Sequence, residues 1–169
     1  MGEVGRRQTD GEFDAFFNAV WPRSTGTAVR LGLSREEAED VALDALAITY
    51  DRWDRVRRME YAQAWTLKVT TNLALRRLKK RPPSVPADSA ESSLEDRVTT
   101  RLTLGVEMAR LPRRQREVVA LRYLADLPEA DVARALGLDV GTVNQHASRA
   151  RHALKLALDE PKAEVGDAS

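Results

Sequence analysis

The chain has 169 residues, 43% hydrophobic and 31% charged, with a net charge of +1. That is enough for one medium domain or two small ones. It has no cysteine, which excludes a disulfide framework and a thiolate metal site. No apolar run approaches membrane length, and Met1–Asp10 lacks a signal-peptide core, which points to the cytoplasm.

The small net charge hides an alternation. Residues 61–83 carry six Lys and Arg and no acid, and residues 112–158 carry eight against five acids. Residues 1–60, 84–111 and 159–169 are each net acidic. Two basic segments between acidic ones suggest two nucleic-acid contacts on one chain.

Residues 1–10 are polar and expected to fray. Phe13, Phe16, Phe17, Val20 and Trp21 have the spacing of one helix face, ending near Pro22. A second helix is expected from Ser24 to Leu31, stopped by Gly32. Ser34 opens SREE, a capping box with Glu37, for a helix reaching about Trp53. Ala38, Val41, Ala42, Ala45, Leu46, Thr49 and Tyr50 form its inner stripe. Its early acids Glu36, Glu37, Glu39, Asp40 and Asp44 suit a helix N-terminus, which is also their simplest explanation.

Asp54–Glu60 lacks periodicity and reads as a loop. Tyr61–Arg81 is then a helix with Trp65, Val69, Leu73 and Leu78 inward, and with Lys68, Thr70, Thr71, Arg76, Arg77, Lys79, Lys80 and Arg81 outward. Such a basic helix can track a nucleic-acid backbone, and Tyr61 and Trp65 can either stack on unpaired bases or belong to the core. Residues 82–97, PPSVPADSAESSLEDR, read as an extended linker. Val98–Arg110 is expected to open a second helical domain, and the acidic tail 159–169 is expected to be disordered.

Leu111-Pro112 starts a further helix, with Pro where a missing N–H costs little. Glu129–Leu136, Gly137 and Val140–Leu158 make a helix-turn-helix, with Gly137 as the stop and Asp139 as the N-cap. Val143, Ala147, Ala150, Leu154 and Ala157 form one apolar stripe on the second helix. Its other faces hold no acid. In helix-turn-helix proteins the second helix enters the major groove, which gives Thr142, Asn144, Gln145 and His146 to base edges. Arg149, Arg151 and Lys155 suit phosphates. An ordinary amphipathic hairpin with a solvated basic face is the plain alternative. His146 and His152 are six apart, do not share a face, and make no zinc site.

The stretch LPRRQREVVALRYL…LPEADVARALGL…GTV…SRARHAL resembles the fourth conserved region of bacterial sigma-70 family sigma factors of the extracytoplasmic-function (ECF) type. SREEAEDVALDALAITYDRWDRV and AQAWTLKVTTNLALRRLKKR resemble the family's second region. The resemblance covers about residues 11–158. It implies an all-α chain of two small helical domains, 11–81 and 98–158, joined by the flexible linker 82–97.

The resemblance also implies a function: binding core RNA polymerase through its β and β′ subunits and directing initiation at specific promoters. Arg113, Thr142, Asn144, Gln145, His146, Arg149, Arg151 and Lys155 would contact the upstream (−35) element. Tyr61, Trp65, Asn72, Arg76, Arg77 and Lys80 would melt and capture the downstream (−10) element. Glu37, Asp40, Val41, Asp44 and Tyr50 would hold polymerase. The free protein is expected to be a monomer that does not enter membranes. Many relatives are held inactive by an anti-sigma factor, and the sequence leaves that partner open, together with how the two domains pack.

Two departures stand out. Leu43-Asp44 replaces a common Gln-Glu pair, and relatives usually carry a basic residue where Asn144 stands and another near His146. TVNQHASRAR is also similar to LuxR-type proteins, so a free-standing regulator is the alternative. No nucleophile–base pair, phosphate-cradling Gly loop or metal ligand set is evident, so neither an enzyme nor a cofactor is expected.

Overall fold

The computed structural model describes residues 2–81 and 104–159. Among them every regular element is helical: α1 (Gly2–Arg30), α2 (Arg35–Asp51), α3 (Trp53–Val56), α4 (Ala62–Lys79), α5 (104–110), α6 (Arg113–Val119), α7 (Glu129–Leu136) and α8 (Val140–Asp159). The expected linker 82–97, the start of the helix expected from Val98, and the tail lie outside the described residues.

The N-terminal end departs from expectation. One helix, α1, runs through Pro22 where two were expected, and it begins at Gly2 rather than after a frayed stretch. Proline removes one helical hydrogen bond. Here packing outweighs that loss, because α1 lies against both α2 and α4. Ser24 and Thr27 are fully buried just beyond the proline. Thr27 Oγ1 donates to the Arg23 carbonyl at 2.7 Å, so burial leaves that hydroxyl satisfied.

The capping box at α2 is formed. The Glu37 N–H donates to Ser34 Oγ at 3.2 Å, and the Ser34 N–H donates to Glu37 Oε2 at 2.8 Å. Arg81, at the end of α4, also donates to Glu37. That hydrogen bond, with the Ser34 contacts, holds the carboxyl below its ordinary value of 4.5 against the opposing effect of burial. A depressed carboxylate stabilises the fold fully above its unfolded pKa, and the gain is lost as pH falls through the lower folded value. Ser34→Ala is expected to cost about 1 kcal/mol of stability. Glu37→Gln is expected to remove the part of the acid-limb pH dependence below 4.5 that this group carries, read from urea unfolding at stepped pH.

Helix α4 turns a different face inward from the one its hydrophobic spacing suggests. Thr66, Thr70 and Thr71 are fully buried, with Ala64, Leu67, Ala74, Leu75 and Leu78. Trp65, Val69 and Leu73 are only half-buried. Thr66 and Thr70 are buried with their hydroxyls satisfied, whereas Thr71 Oγ1 is buried without a hydrogen-bond partner. Thr66 Oγ1 donates to the Ala62 carbonyl at 3.1 Å, and Thr70 Oγ1 donates to the Thr66 carbonyl at 3.0 Å. Thr70 also meets Ser24 of α1 at 3.2 Å. The expected Asp54–Glu60 loop begins with the short α3, which buries Trp53 and Val56.

The two halves of the chain share their cores. One cluster joins Leu31, Ala74 and Leu78 to Met108, Leu111, Ala150 and Leu154. The other joins Ala64 and Leu67 to Val118, Leu121, Val132, Val143 and Ala147. Between α6 and α7 the backbone widens into a π-helical turn, Ala120–Leu124, and the Ala125 N–H reaches the Ala120 carbonyl at 2.9 Å.

Such a helix end leaves carbonyls without intrahelical partners. The N-terminal half supplies them. Arg30 Nη1 donates to the Leu124 carbonyl at 2.5 Å, and Arg23 Nη2 to the Ala125 carbonyl at 3.0 Å. Lys68 Nζ does the same at the end of α7, donating to the Ala135 carbonyl at 3.2 Å. Three cations of one half thus sit at carbonyl-rich helix ends of the other, where positive charge is favoured. This packing is the closed form.

Candidate nucleic-acid interface

Helix α7 ends at Gly137, whose backbone is left-handed at φ 66°. A Cβ at that φ is strained, so glycine makes the turn cheaply. Asp139 then starts α8. The Thr142 N–H donates to Asp139 Oδ1 at 2.8 Å, and the Thr142 hydroxyl donates to Oδ2 at 2.8 Å. These bonds, the backbone one foremost, hold the Asp139 carboxyl below the ordinary aspartate range. Val143, Ala147, Ala150 and Leu154 bury one face of α8.

That geometry sorts the residues expected at the upstream element. Gln145, Arg149 and Lys155 stand exposed, and Ser148 and His152 share their outer face. Asn144 is exposed but bonded sideways. Its Oδ1 accepts from Arg122 Nη1 at 2.7 Å, and its Nδ2 donates to Glu129 Oε2 at 3.4 Å. Arg122 also donates to Glu129, which closes a three-residue network between the π-helical turn, α7 and α8. Thr142 is committed to the Asp139 cap. His146 is half-buried, and its Nδ1 is buried without a hydrogen-bond partner. The Arg151 guanidinium lies 6.0 Å from the centre of the Tyr123 ring, and Arg122 lies 5.4 Å from it. Both distances are within cation–π range.

The residues expected at the downstream element divide between surface and contact. Arg76, Arg77 and Lys80 are exposed along the last turn of α4. Arg77 faces α2, with Nη1 3.2 Å from the Glu37 carbonyl and 3.6 Å from Asp40 Oδ2. Asn72 turns toward α6 and donates to Glu117 Oε1 at 3.4 Å. Tyr61 packs against the second core cluster. Trp65 is half-buried beneath Arg52, 6.0 Å from its ring centre.

Of the residues expected to hold polymerase, Asp44 and Tyr50 are exposed. Glu37 and Asp40 turn to Arg81 and Arg77. Val41 is a core residue, 3% exposed, because it falls on the stripe of α2 that faces the bundle. The surface beside Asp44 is an apolar groove between α1 and α2, lined by Phe13, Phe17, Leu43, Leu46, Ala47 and Tyr50 and edged by Asp10 and Asp14. Leu43 is half exposed there.

Sequence reasoning missed Arg122, Glu129 and Glu117. Glu117 is fully buried, and it accepts from Arg113 Nε at 3.2 Å and Arg114 Nη1 at 3.0 Å. Its position three and four residues after two arginines carries a signal, because such pairs meet on a helix. Arg122 and Glu129 meet only through the π-helical turn, which no local pattern announces.

Residues 101–154 match the family model described as "Sigma-70, region 4". The RNA polymerase sigma-E factor of Streptomyces coelicolor is 31% identical over 159 residues, which span 89% of this chain and 84% of that protein. The chain belongs to the sigma-70 family of RNA polymerase sigma factors, in its ECF branch. The ECF RNA polymerase sigma factor SigW of Bacillus subtilis is 26% identical over 141 residues, covering 72% of this sigma factor and 75% of SigW. Among solved structures, the sigma factor RpoE in complex with the anti-sigma factor NepR from Bartonella quintana superposes with a TM-score of 0.59. At 21% identity it covers 89% of this chain and 99% of its own, and it establishes the all-α fold. These relatives favour the sigma reading over the free-standing regulator.

Proposed function

We propose that this sigma factor binds core RNA polymerase, reads the −35 element as duplex with α8, and captures the −10 element with α4 as the strands part. The observation that carries the proposal is the outer face of α8. Gln145, Ser148, Arg149 and His152 stand exposed together without an acid, on a helix fixed by the Gly137 turn and the Asp139 cap. Such a helix enters a major groove, and its N-terminal part meets base edges.

Gln145 is the principal base reader, Arg149 and Lys155 hold phosphates, and Asn144 orients the helix through Arg122. Polymerase docks on the apolar α1–α2 groove, with Leu43 and Tyr50 at its centre and Asp10, Asp14 and Asp44 around it. The functional units are residues 11–81 and 98–158, joined by 82–97. Tyr61 and Asn72 face the C-terminal half in the closed form, so capture of the −10 strand requires the halves to part. The work is binding rather than catalysis, and its setting is the cytoplasm. No described helix is long and apolar enough to cross a membrane. The anti-sigma factor bound to the solved relative supports a partner of that kind here.

In vitro transcription with core polymerase on a pool of randomised promoters tests this. New starts sharing two spaced boxes are expected. No new starts, alongside tight duplex binding by the protein alone, would sink the proposal. Within it, Arg149→Ala should weaken binding on every sequence and lower the salt slope by about 1. Gln145→Ala should relax preference at one base pair by about 1–3 kcal/mol. Equal losses on all sequences for both variants would remove Gln145 as the reader.

A further inference from the structure

Where α4 meets α6 the closed form brings four cations around one cleft. Arg76 and Lys79 come from the last turn of α4, and Arg113 and Arg116 come from α6. Asn72 and Leu75 complete a lining that encloses about 250 Å³. Among the described residues the carboxylate that pairs with a cation of this cleft is the buried Glu117, and it is already shared by Arg113, Arg114 and Asn72. Arg116 Nη1 donates to the Ala109 carbonyl at 3.1 Å. Arg76 and Lys79 have no ion pair among the described residues.

The shared apolar cores therefore press two like-charged elements together, with Glu117 between them. Lys68 lies one further turn along α4. Burial pushes its ammonium below the usual lysine range, Arg114 and Arg113 add to that, and Glu117 opposes it.

We infer that this cleft is a binding site for a small polyphosphate, with two or more linked phosphoryl groups, and that such a ligand locks the closed form. Guanidinium groups take phosphate oxygens in paired, charge-assisted hydrogen bonds, and lysine adds a compact point charge. A single phosphate satisfies one wall of the cleft. Linked phosphates span both, and they relieve the repulsion between α4 and α6. The cleft is too small for a duplex, and promoter boxes spaced along DNA cannot both enter it. Because the two walls belong to different halves, the complete site exists only when they are packed. A ligand of the closed form alone stabilises that form in proportion to the logarithm of its concentration over Kd. On the proposed function, the consequence is an α4 that cannot capture a −10 strand while the ligand is abundant. The binding itself stands or falls without reference to transcription.

The test is titration of the full chain with pyrophosphate at fixed ionic strength, followed by calorimetry and by thermal unfolding. One saturable site and a rising Tm are expected. Arg76→Gln and Arg113→Gln, one on each wall, should each weaken binding by about tenfold or more, as loss of a charge-assisted hydrogen bond does. Arg35→Gln, at an exposed position outside the lining of the cleft, should leave binding unchanged. Gly105→Ala, which separates the walls, should weaken pyrophosphate as much as either cleft variant.

Sulfate and orthophosphate matching pyrophosphate would overturn the proposal, because they would show ionic atmosphere rather than a site. Full affinity in Gly105→Ala would overturn the bridging. A single-stranded oligonucleotide that outcompetes pyrophosphate in the closed chain would assign the cleft to nucleic acid instead. Binding that appears only after Asp88, Glu91, Glu95 and Asp96 are neutralised would assign it to the chain's own carboxylates.

Discussion

Replacing Gly105 with alanine should open the molecule. Gly105 lies in α5, and a Cβ built there would sit 2.2 Å from the Leu31 carbonyl oxygen and 3.1 Å from Leu78 Cδ1. The first partner is backbone at the end of α1, and it cannot swing aside as a side chain would. The helices must move apart by about an ångström, and forced overpacking of this kind costs about 1–3 kcal/mol or more. The local helical preference has the opposite sign, because alanine in a helix interior is favoured over glycine by about 1 kcal/mol. The two effects separate cleanly. If α5 packs on α1 as described, Gly105→Ala lowers Tm and raises the radius of gyration in solution scattering. It also raises capture of a −10 single strand by the free protein, because Asn72 and Tyr61 are no longer held against the C-terminal half. If the halves do not pack in this way, the substitution raises Tm and leaves the scattering unchanged.

That glycine shows where the sequence was readable and where it was not. The elements that depend on neighbours in the chain were legible. The capping box at Ser34, the Gly137 stop, the Asp139 cap and the apolar stripe of α8 are all set within four residues, and each forms as expected. The continuous α1 was not legible, because Pro22 argues locally for a break and is overridden by contacts with α2 and α4. Nor was the inward face of α4. Its buried threonines look polar in a hydrophobicity pattern, and for Thr66 and Thr70 the hydrogen bonds to α1, α2 and their own helix explain their place.

The candidate interface follows the same division. Exposure of Gln145, Arg149 and Lys155 is a consequence of helical period alone. The sideways attachment of Asn144 depends on Arg122, twenty-two residues earlier in the chain. The burial of Asn72 and Tyr61 depends on the other half altogether. A pattern confined to one helix can say which residues share a face. It cannot say which of those faces another element will claim.

The Arg122 network supplies the second large effect. Arg122→Ala removes donors to both Asn144 and Glu129, and it leaves the Glu129 carboxylate with Asn144 alone. The groups are partly exposed, with Arg122 at 25% and Glu129 at 37%, so the loss is discounted for solvent. About 1–2 kcal/mol is expected for charge-assisted bonds in that setting. The loss falls on the start of α8, the part of the helix that meets base edges. Affinity for a −35 duplex should drop by about tenfold, while the ranking of sequences stays as in the parent protein, since Gln145 still faces outward. A double-mutant cycle with Asn144→Ala decides between this and direct reading by Asn144. If Asn144 acts through Arg122, the two losses overlap and the coupling energy is about 0.5 kcal/mol or more. If they add, and Asn144→Ala alone changes which bases are preferred, then Asn144 reads DNA and the network is incidental to recognition.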